Sequence, residues 1–234
     1  MQLDILQTVN EYKDPGDIRV LLGCEKSGVG RQAFLKRGFD AYSCDLQPAD
    51  DRSNRHFTCD IREVLDDDWD VLIACHPPCT RLANSGVRWI KKPPPGKTHA
   101  QIQRELEQGA ALFSDCWNAS VPHVAVENPI MHKYAKSLIK NDVKQNQIVQ
   151  PWHHGEKAFK ATAWWLRNLP NLEPTNKLTP PSPGTEEHKK WSFIHRAAPG
   201  PERSNFRSRT FQGHADAFAD QWGDYVCNQS MSAM

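Results

Sequence analysis

The chain has 234 residues, 38% hydrophobic and 24% charged, with 29 Lys and Arg against 28 Asp and Glu and a net charge of +1. That length supports one sizeable domain with a single buried core, and the near-zero charge excludes a polycation. No apolar run approaches the length of a membrane span, and Met1–Asn10 lacks the basic start and apolar stretch of a signal peptide, so a cytoplasmic location is expected. Seven cysteines, at 24, 44, 59, 75, 79, 116 and 227, are odd in number and show no CxxC spacing. Neither a disulfide framework nor a zinc site is expected from them.

Residues 1–17 are polar and read as a loose arm. Ile18–Cys24 is an apolar run rich in branched residues, hence a buried strand. Ser27–Arg37 follows with helical spacing and Gly38 as its stop. Phe39–Asp45 predicts a second strand and His56–Cys59 a short third, with a helical turn at Ile61–Leu65. Trp69–Cys75 predicts a fourth. The segment from His76 to Thr98 carries Pro77, Pro78, Gly86, Pro93, Pro94, Pro95 and Gly96. Its length suits a functional or mobile loop, and residues 80–98 are expected to close over the site. His99–Ala119 has helical periodicity through Ile102, Leu106, Ala110 and Phe113. Val121–Val126 predicts a fifth strand. Alternating strands and helices predict an α/β fold with a doubly wound, mostly parallel sheet over residues 18–150.

Residues 151–205 differ. They hold eight prolines and little periodicity except at Thr162–Leu166, and read as an irregular insertion. Between Pro151 and His214, ten Lys and Arg face five Asp and Glu, interleaved with Trp and Phe. Such mixing suits phosphate contacts and base stacking as well as it suits a surface over an aromatic core. Ala215–Trp222 predicts a closing helix, so that 206–234 returns to the core.

In a doubly wound sheet, ligands bind beyond the carboxyl ends of the strands. Gly23 closes the first strand, and Gly28 lies in the turn to the first helix, where a missing side chain lets a ligand approach the backbone. Asp45 closes the second strand, where an acid can accept from ribose hydroxyls, and Asp60 closes the third. Helix capping and turn chemistry are the plainer uses of both acids. His76-Pro77-Pro78-Cys79 leaves the fourth strand on a stiff backbone and presents a thiol, a strong nucleophile as thiolate. Glu127 closes the fifth strand. Carbon 6 of a pyrimidine resists attack unless N3 takes up charge, and a protonated Glu can donate to N3. Arg207 and Arg209, alternating in an expected strand, point the same way and suit phosphate or the pyrimidine O2.

Taken in order, these residues resemble the cytosine carbon-5 methyltransferase family over residues 18–228. Leu22-Gly23-Cys24-Glu25 through Ser27 and Gly28 is similar to its first cofactor motif. Asp45 and Leu46 match the ribose-binding acid and the apolar residue that packs on adenine. Asp60-Ile61 matches the adenine-amino acceptor. Pro78-Cys79 resembles the nucleophile motif, Glu127-Asn128 the Glu-Asn motif, and Asn205 through Phe211 the Gln-x-Arg-x-Arg motif. Gln221 through Val226, with Gly223, resembles the last motif, which returns to the cofactor. The resemblance implies a methyltransferase of Rossmann-like fold that uses S-adenosyl-L-methionine. It implies catalytic roles for Cys79, Glu127, Arg207 and Arg209, cofactor contacts by the strand-end residues together with Pro78, and DNA as partner.

Departures accompany it. Thr80 stands where Gln is common, Pro129 replaces Val, Asn205 replaces Gln, and Asp224 replaces Asn. Only eleven residues separate Arg209 from Gln221, where the family inserts its target recognition domain. The segment 151–205 is the expected substitute. An amino-group methyltransferase, a modifier of free pyrimidine nucleotides such as dCMP, and a catalytically silent DNA-binding relative are the alternatives.

Overall fold

A computed structural model describes residues 12–75, 77, 79–139, 143–198, 203–208 and 210–229, with residues 204 and 205 described in backbone only. The strands are β1 (Arg19–Gly23), β2 (Asp40–Asp45), β3 (His56–Thr58), β4 (Val71–Ala74), β5 (His123–Asn128), β6 (Gln147–Val149) and β7 (Thr162–Arg167). They form one seven-stranded sheet in the order β3-β2-β1-β4-β5-β7-β6. The pairings from β3 to β5 are parallel, and β7 runs antiparallel to both of its neighbours. The chain is therefore an α/β protein with a doubly wound, mostly parallel sheet of Rossmann-like type.

The α-helices are α1 (Val29–Lys36), α2 (Arg88–Lys91), α3 (His99–Asn118), α4 (Lys133–Lys136), α5 (Glu186–Trp191), α6 (Phe193–Arg196), α7 (Arg203–Ser208) and α8 (Gln212–Asn228). Strand side chains alternate between two cores, as the period of two requires. Val20, Leu22, Ile73, Ala125 and Trp164 face α1 and α8, where Phe34, Phe218 and Trp222 meet them. Leu21, Leu72, Val124, Val126 and Trp165 face α3, where Leu106, Ala110 and Phe113 meet them. Because both faces are covered, the central strands read as unbroken apolar runs.

Helix α3 begins where the sequence says it should. Thr98 Oγ1 accepts from the Gln101 amide at 3.2 Å, and Gln101 Oε1 accepts from the Thr98 amide at 2.8 Å. This reciprocal cap satisfies two otherwise orphaned donors. Helix α8 packs by aromatic contact: the Phe218 and Trp222 rings stack at 5.7 Å, and Trp164 meets Trp222 edge-on at 5.2 Å. Each such buried ring stabilises the fold by about 1.5–3 kcal/mol.

Two expectations change. Thr162–Arg167 falls inside the Pro-rich segment, yet as β7 it lies between β5 and β6 in the sheet. Its apolar face outweighs the prolines around it. The stretch holding Arg207 is helix α7 rather than a strand. The end of the arm is also less loose than its polarity suggested: the Lys13 amide bonds the Cys227 carbonyl at 2.9 Å, and its Nζ bonds Asp70 at 3.0 Å. Among the described residues, no helix is long and apolar enough to cross a membrane.

Candidate active site

Glu127 ends β5 on the face that carries Ala125, toward α8, and it is 5% exposed. The parallel pairing of β4 with β5 sets Ala74 beside Val126. The chain leaving β4 through Cys75 and buried Pro77 to Cys79 therefore starts next to Glu127. The segment beyond Cys79 is stitched to the segment beyond Glu127. The Cys79 carbonyl accepts from the Leu82 and Ala83 amides at 3.0 and 2.9 Å. Ala83 pairs with Met131, the Asn84 amide bonds the Ile130 carbonyl at 2.9 Å, and the His132 amide bonds the Leu82 carbonyl at 3.1 Å. His132 Nε2 lies 2.6 Å from the Arg81 carbonyl.

Gly86 belongs to the same packing, because a Cβ there would fall 2.2 Å from the Thr80 carbonyl oxygen. Arg81 Nε bonds Glu105 of α3 at 2.6 Å. Residues 80–87 are thus paired to the segment after β5, a contact that the loop composition around them does not announce. Backbone pairing to 130–132 overrides loop composition.

Burial pushes the Cys79 thiol up to about 11, the Glu127 charge adds to the rise, and Lys160 and Arg207 oppose it. Arg207 thus reaches the same field from α7. Arg209, Pro78 and His76 lie outside the described residues, as does the side chain of Asn205. Asn128, next to Glu127, is fully buried, and neither amide atom has a hydrogen-bond partner.

A small pocket, about 10 Å³, lies at this end of the sheet. Glu127, Lys160, Cys75 and Thr210 give it polar walls, and Trp164, Phe211 and Phe218 give it apolar ones. Trp164 Nε1 donates to His214 Nε2 at 3.1 Å, and His214 stacks on His154 at 5.4 Å. Lys160 and His214 were not singled out from the sequence. The available signal was position: Lys160 immediately precedes a strand that returns antiparallel to β5.

The other cofactor candidates sit at the ends of β1, β2 and β3. Gly28 caps α1 at φ +75°, and a Cβ there would crowd Arg31 and Asp51 at 2.7 and 2.8 Å. Glu25 is 1% exposed and accepts from Ser27 Oγ, while its Oε2 has no hydrogen-bond partner. Burial raises the Glu25 carboxyl above its ordinary range. Asp45 Oδ1 accepts from the Gln47 amide at 2.9 Å at the end of β2. Beside it, Leu46 is 73% exposed.

Three expected contacts stand differently. Gly23 is explained by packing, since a Cβ would meet Ile61 Cδ1 at 2.0 Å. Asp60 is committed to capping: it accepts from the Arg62 amide at 3.0 Å and pairs with the Arg62 guanidinium at 2.5 Å. That Arg62 bond holds its carboxyl below the usual range. Gly223 is not brought to these strand ends. It sits in α8, where a Cβ would meet the Phe39 ring at 2.7 Å, at the amino end of β2. Its neighbour Asp224 pairs with Arg37. A glycine that lets a helix pack closely leaves the same mark in sequence as one that admits a ligand.

No protein-family profile and no curated protein matches the sequence. Solved structures do. One is a candidate DNA modification methyltransferase encoded within an E. coli prophage, 16% identical over 64% of this chain and 46% of that one, with a TM-score of 0.41. Another is a methyltransferase of Entamoeba histolytica, 14% identical over 69% of this chain and 57% of that one, with a TM-score of 0.44. The chain thus spans about half the length of the structures it matches, at a similarity that carries no inference about chemistry.

Proposed function

We propose that the protein is an S-adenosyl-L-methionine-dependent methyltransferase acting on carbon 5 of cytosine in DNA, with Cys79 as covalent nucleophile. The observation that carries this reading is the pairing of residues 80–84 to 130–132, which sets the chain just after Cys79 against the chain just after the buried Glu127. A structural cysteine does not require a buried carboxyl beside it. A nucleophile for an electron-rich ring does, because the ring must be polarised while it is attacked.

Cys79 as thiolate adds to carbon 6, forming a sulfur–carbon bond. Glu127, protonated as the base binds, donates a hydrogen bond to N3 and disperses the charge that the addition creates. Carbon 5 becomes nucleophilic, and the bound cofactor supplies the electrophilic methyl that it takes up. Loss of the carbon-5 proton to a base then restores the ring double bond as sulfur departs. Arg207 suits the substrate's O2 or phosphate. DNA as substrate requires the target base to leave its stack.

The cofactor reading is supported by the orphaned Glu25 oxygen, the left-handed Gly28 turn, and Asp45 beside the bare Leu46. Glu25, Ser27, Gly28, Asp45 and Leu46 would hold it. Asp60 would have to exchange Arg62 for an adenine amine.

The test is nucleoside mass spectrometry after incubating the protein and S-adenosylmethionine with DNA or with dCMP. 5-Methylcytosine from DNA is expected, and its loss in Cys79→Ser. Methylation of the exocyclic amine, product from dCMP alone, or normal turnover by Cys79→Ser would overturn the reading.

A further inference from the structure

Two phenylalanines stand bare on the helices that lead back to the pocket. Phe193 of α6 is 40% exposed and Phe206 of α7 is 48% exposed, and their rings meet at 5.9 Å. Phe193 also meets Phe211 at 6.4 Å, and Phe211 lines the pocket that holds Glu127. The three rings therefore run in unbroken contact from solvent to the candidate active site. Single exposed apolar residues are ordinary, but a contacting pair that continues into a pocket marks a binding surface. Its base is well seated. Trp191 and Ile194, on either side of Phe193, are buried, and the Phe159 amide bonds the Trp191 carbonyl at 3.0 Å.

Arginines accompany the rings. Arg196 lies three residues after Phe193 on α6, and Arg203 three residues before Phe206 on α7. That spacing puts each cation on the face of its ring. The acids of α5, Glu186 and Glu187, are taken up by Lys189 and Lys190. Among the described residues, neither arginine lies within ion-pair distance of a carboxylate, and Arg203 Nε is buried with no hydrogen-bond partner. Rings interleaved with unneutralised guanidinium groups match a strand of unpaired nucleotides, whose bases stack while its phosphates meet the cations. A duplex keeps its base faces inside and offers such rings nothing to stack on.

We propose that Phe193, Phe206 and Phe211 form a stacking track for single-stranded DNA, with Arg196 and Arg203 holding the phosphates of the nucleotides beside the target. The proposal rests on DNA being the substrate and names the form in which it is taken. A cytosine in a single strand reaches Glu127 without first being drawn out of a duplex. Every base has a π face, so the track carries no sequence readout of its own.

Fluorescence anisotropy tests this on the intact protein without cofactor, using one labelled oligonucleotide alone or annealed to its complement. The single strand should bind about tenfold more tightly than the duplex, an effect within the range of one base stacked on a ring. Phe206→Ala should lose about that much affinity for the single strand and little for the duplex, while Phe206→Trp should keep it. Arg196→Gln should reduce the salt slope of single-strand binding by about 0.7, the share of one phosphate. Equal affinity for the two forms would overturn the proposal. So would a folded Phe206→Ala protein that binds the single strand as wild type does. Should Phe206→Ala not fold, an unchanged salt slope in Arg196→Gln would refute the track on its own. The two readings fail separately. Single-strand binding without any 5-methylcytosine would sink the methyltransferase reading and leave the track, whereas methylation confined to duplex DNA would sink the track and leave the chemistry.

Discussion

Glu127 and Trp164 stand opposite one another in the antiparallel ladder of β5 and β7, and both line the pocket at the end of the sheet. The pairing explains why a long irregular segment returns to the site. A strand entering from the carboxyl side delivers Lys160 and Thr162 beside Glu127 before Trp164 plugs the core beneath. The indole then fixes His214 of α8 by its N–H.

Trp164→Phe should destabilise the fold by about 1–3 kcal/mol, from loss of the bond to His214 and of part of a buried ring. Urea unfolding measures it. A change below about 0.5 kcal/mol would mean that the indole N–H contributes nothing to the packing of α8.

Gly23 offers a separation of packing from ligand contact. Gly23→Ala should cost about 1–3 kcal/mol by overpacking against Ile61 Cδ1. Ile61→Val removes that methyl group and should relieve most of the cost, so the two changes are less than additive. Thermal melts of the four proteins check this. Strict additivity would return Gly23 to the role of a ligand contact.

Arg31 is fully buried and is held by Asp51 at 2.5 Å and by Ser43. Asp51→Asn leaves the guanidinium without its anion and should cost about 3 kcal/mol. Burial works to raise the Asp51 carboxyl, but bonds from Arg31 and Gln32 outweigh it and its folded value lies below the ordinary one. Its stabilisation is therefore complete above about pH 4, the unfolded value, and is lost as pH falls through the lowered folded value. Denaturation curves from pH 6 to 2 should show a shallower acid limb in Asp51→Asn than in wild type. Parallel limbs would contradict the linkage.

Much of this was legible in the sequence. The branched apolar runs of β1, β4 and β5 announce strands buried on both faces, and the spacing of Ile102, Leu106, Ala110 and Phe113 announces α3. Cys79 and Glu127 stood out because both close apolar runs, which is where a doubly wound sheet exposes side chains. Other features depended on distant contacts. Nothing local tells that Thr162–Arg167 inserts between β5 and β6, so Lys160 was invisible until β7 was placed. The pairing of 80–87 with 130–132 joins segments distant in sequence, and the prolines and glycines of the long segment 76–98 gave no sign of it. Asp60 and Gly223 are residue types suited to a ligand contact, but Arg62 engages the Asp60 carboxyl and the Phe39 ring packs against Gly223.

The most direct test of the central claim is covalent trapping. An oligonucleotide with 5-fluorocytosine at the target position cannot lose fluorine as a cation, so a reaction through carbon 6 stalls with the base attached to the enzyme. In the presence of S-adenosylmethionine, the account predicts a protein–oligonucleotide adduct whose linked peptide contains Cys79, absent in Cys79→Ser. Methylation of normal cytosine without any trapped adduct, or an adduct at another residue, would contradict it.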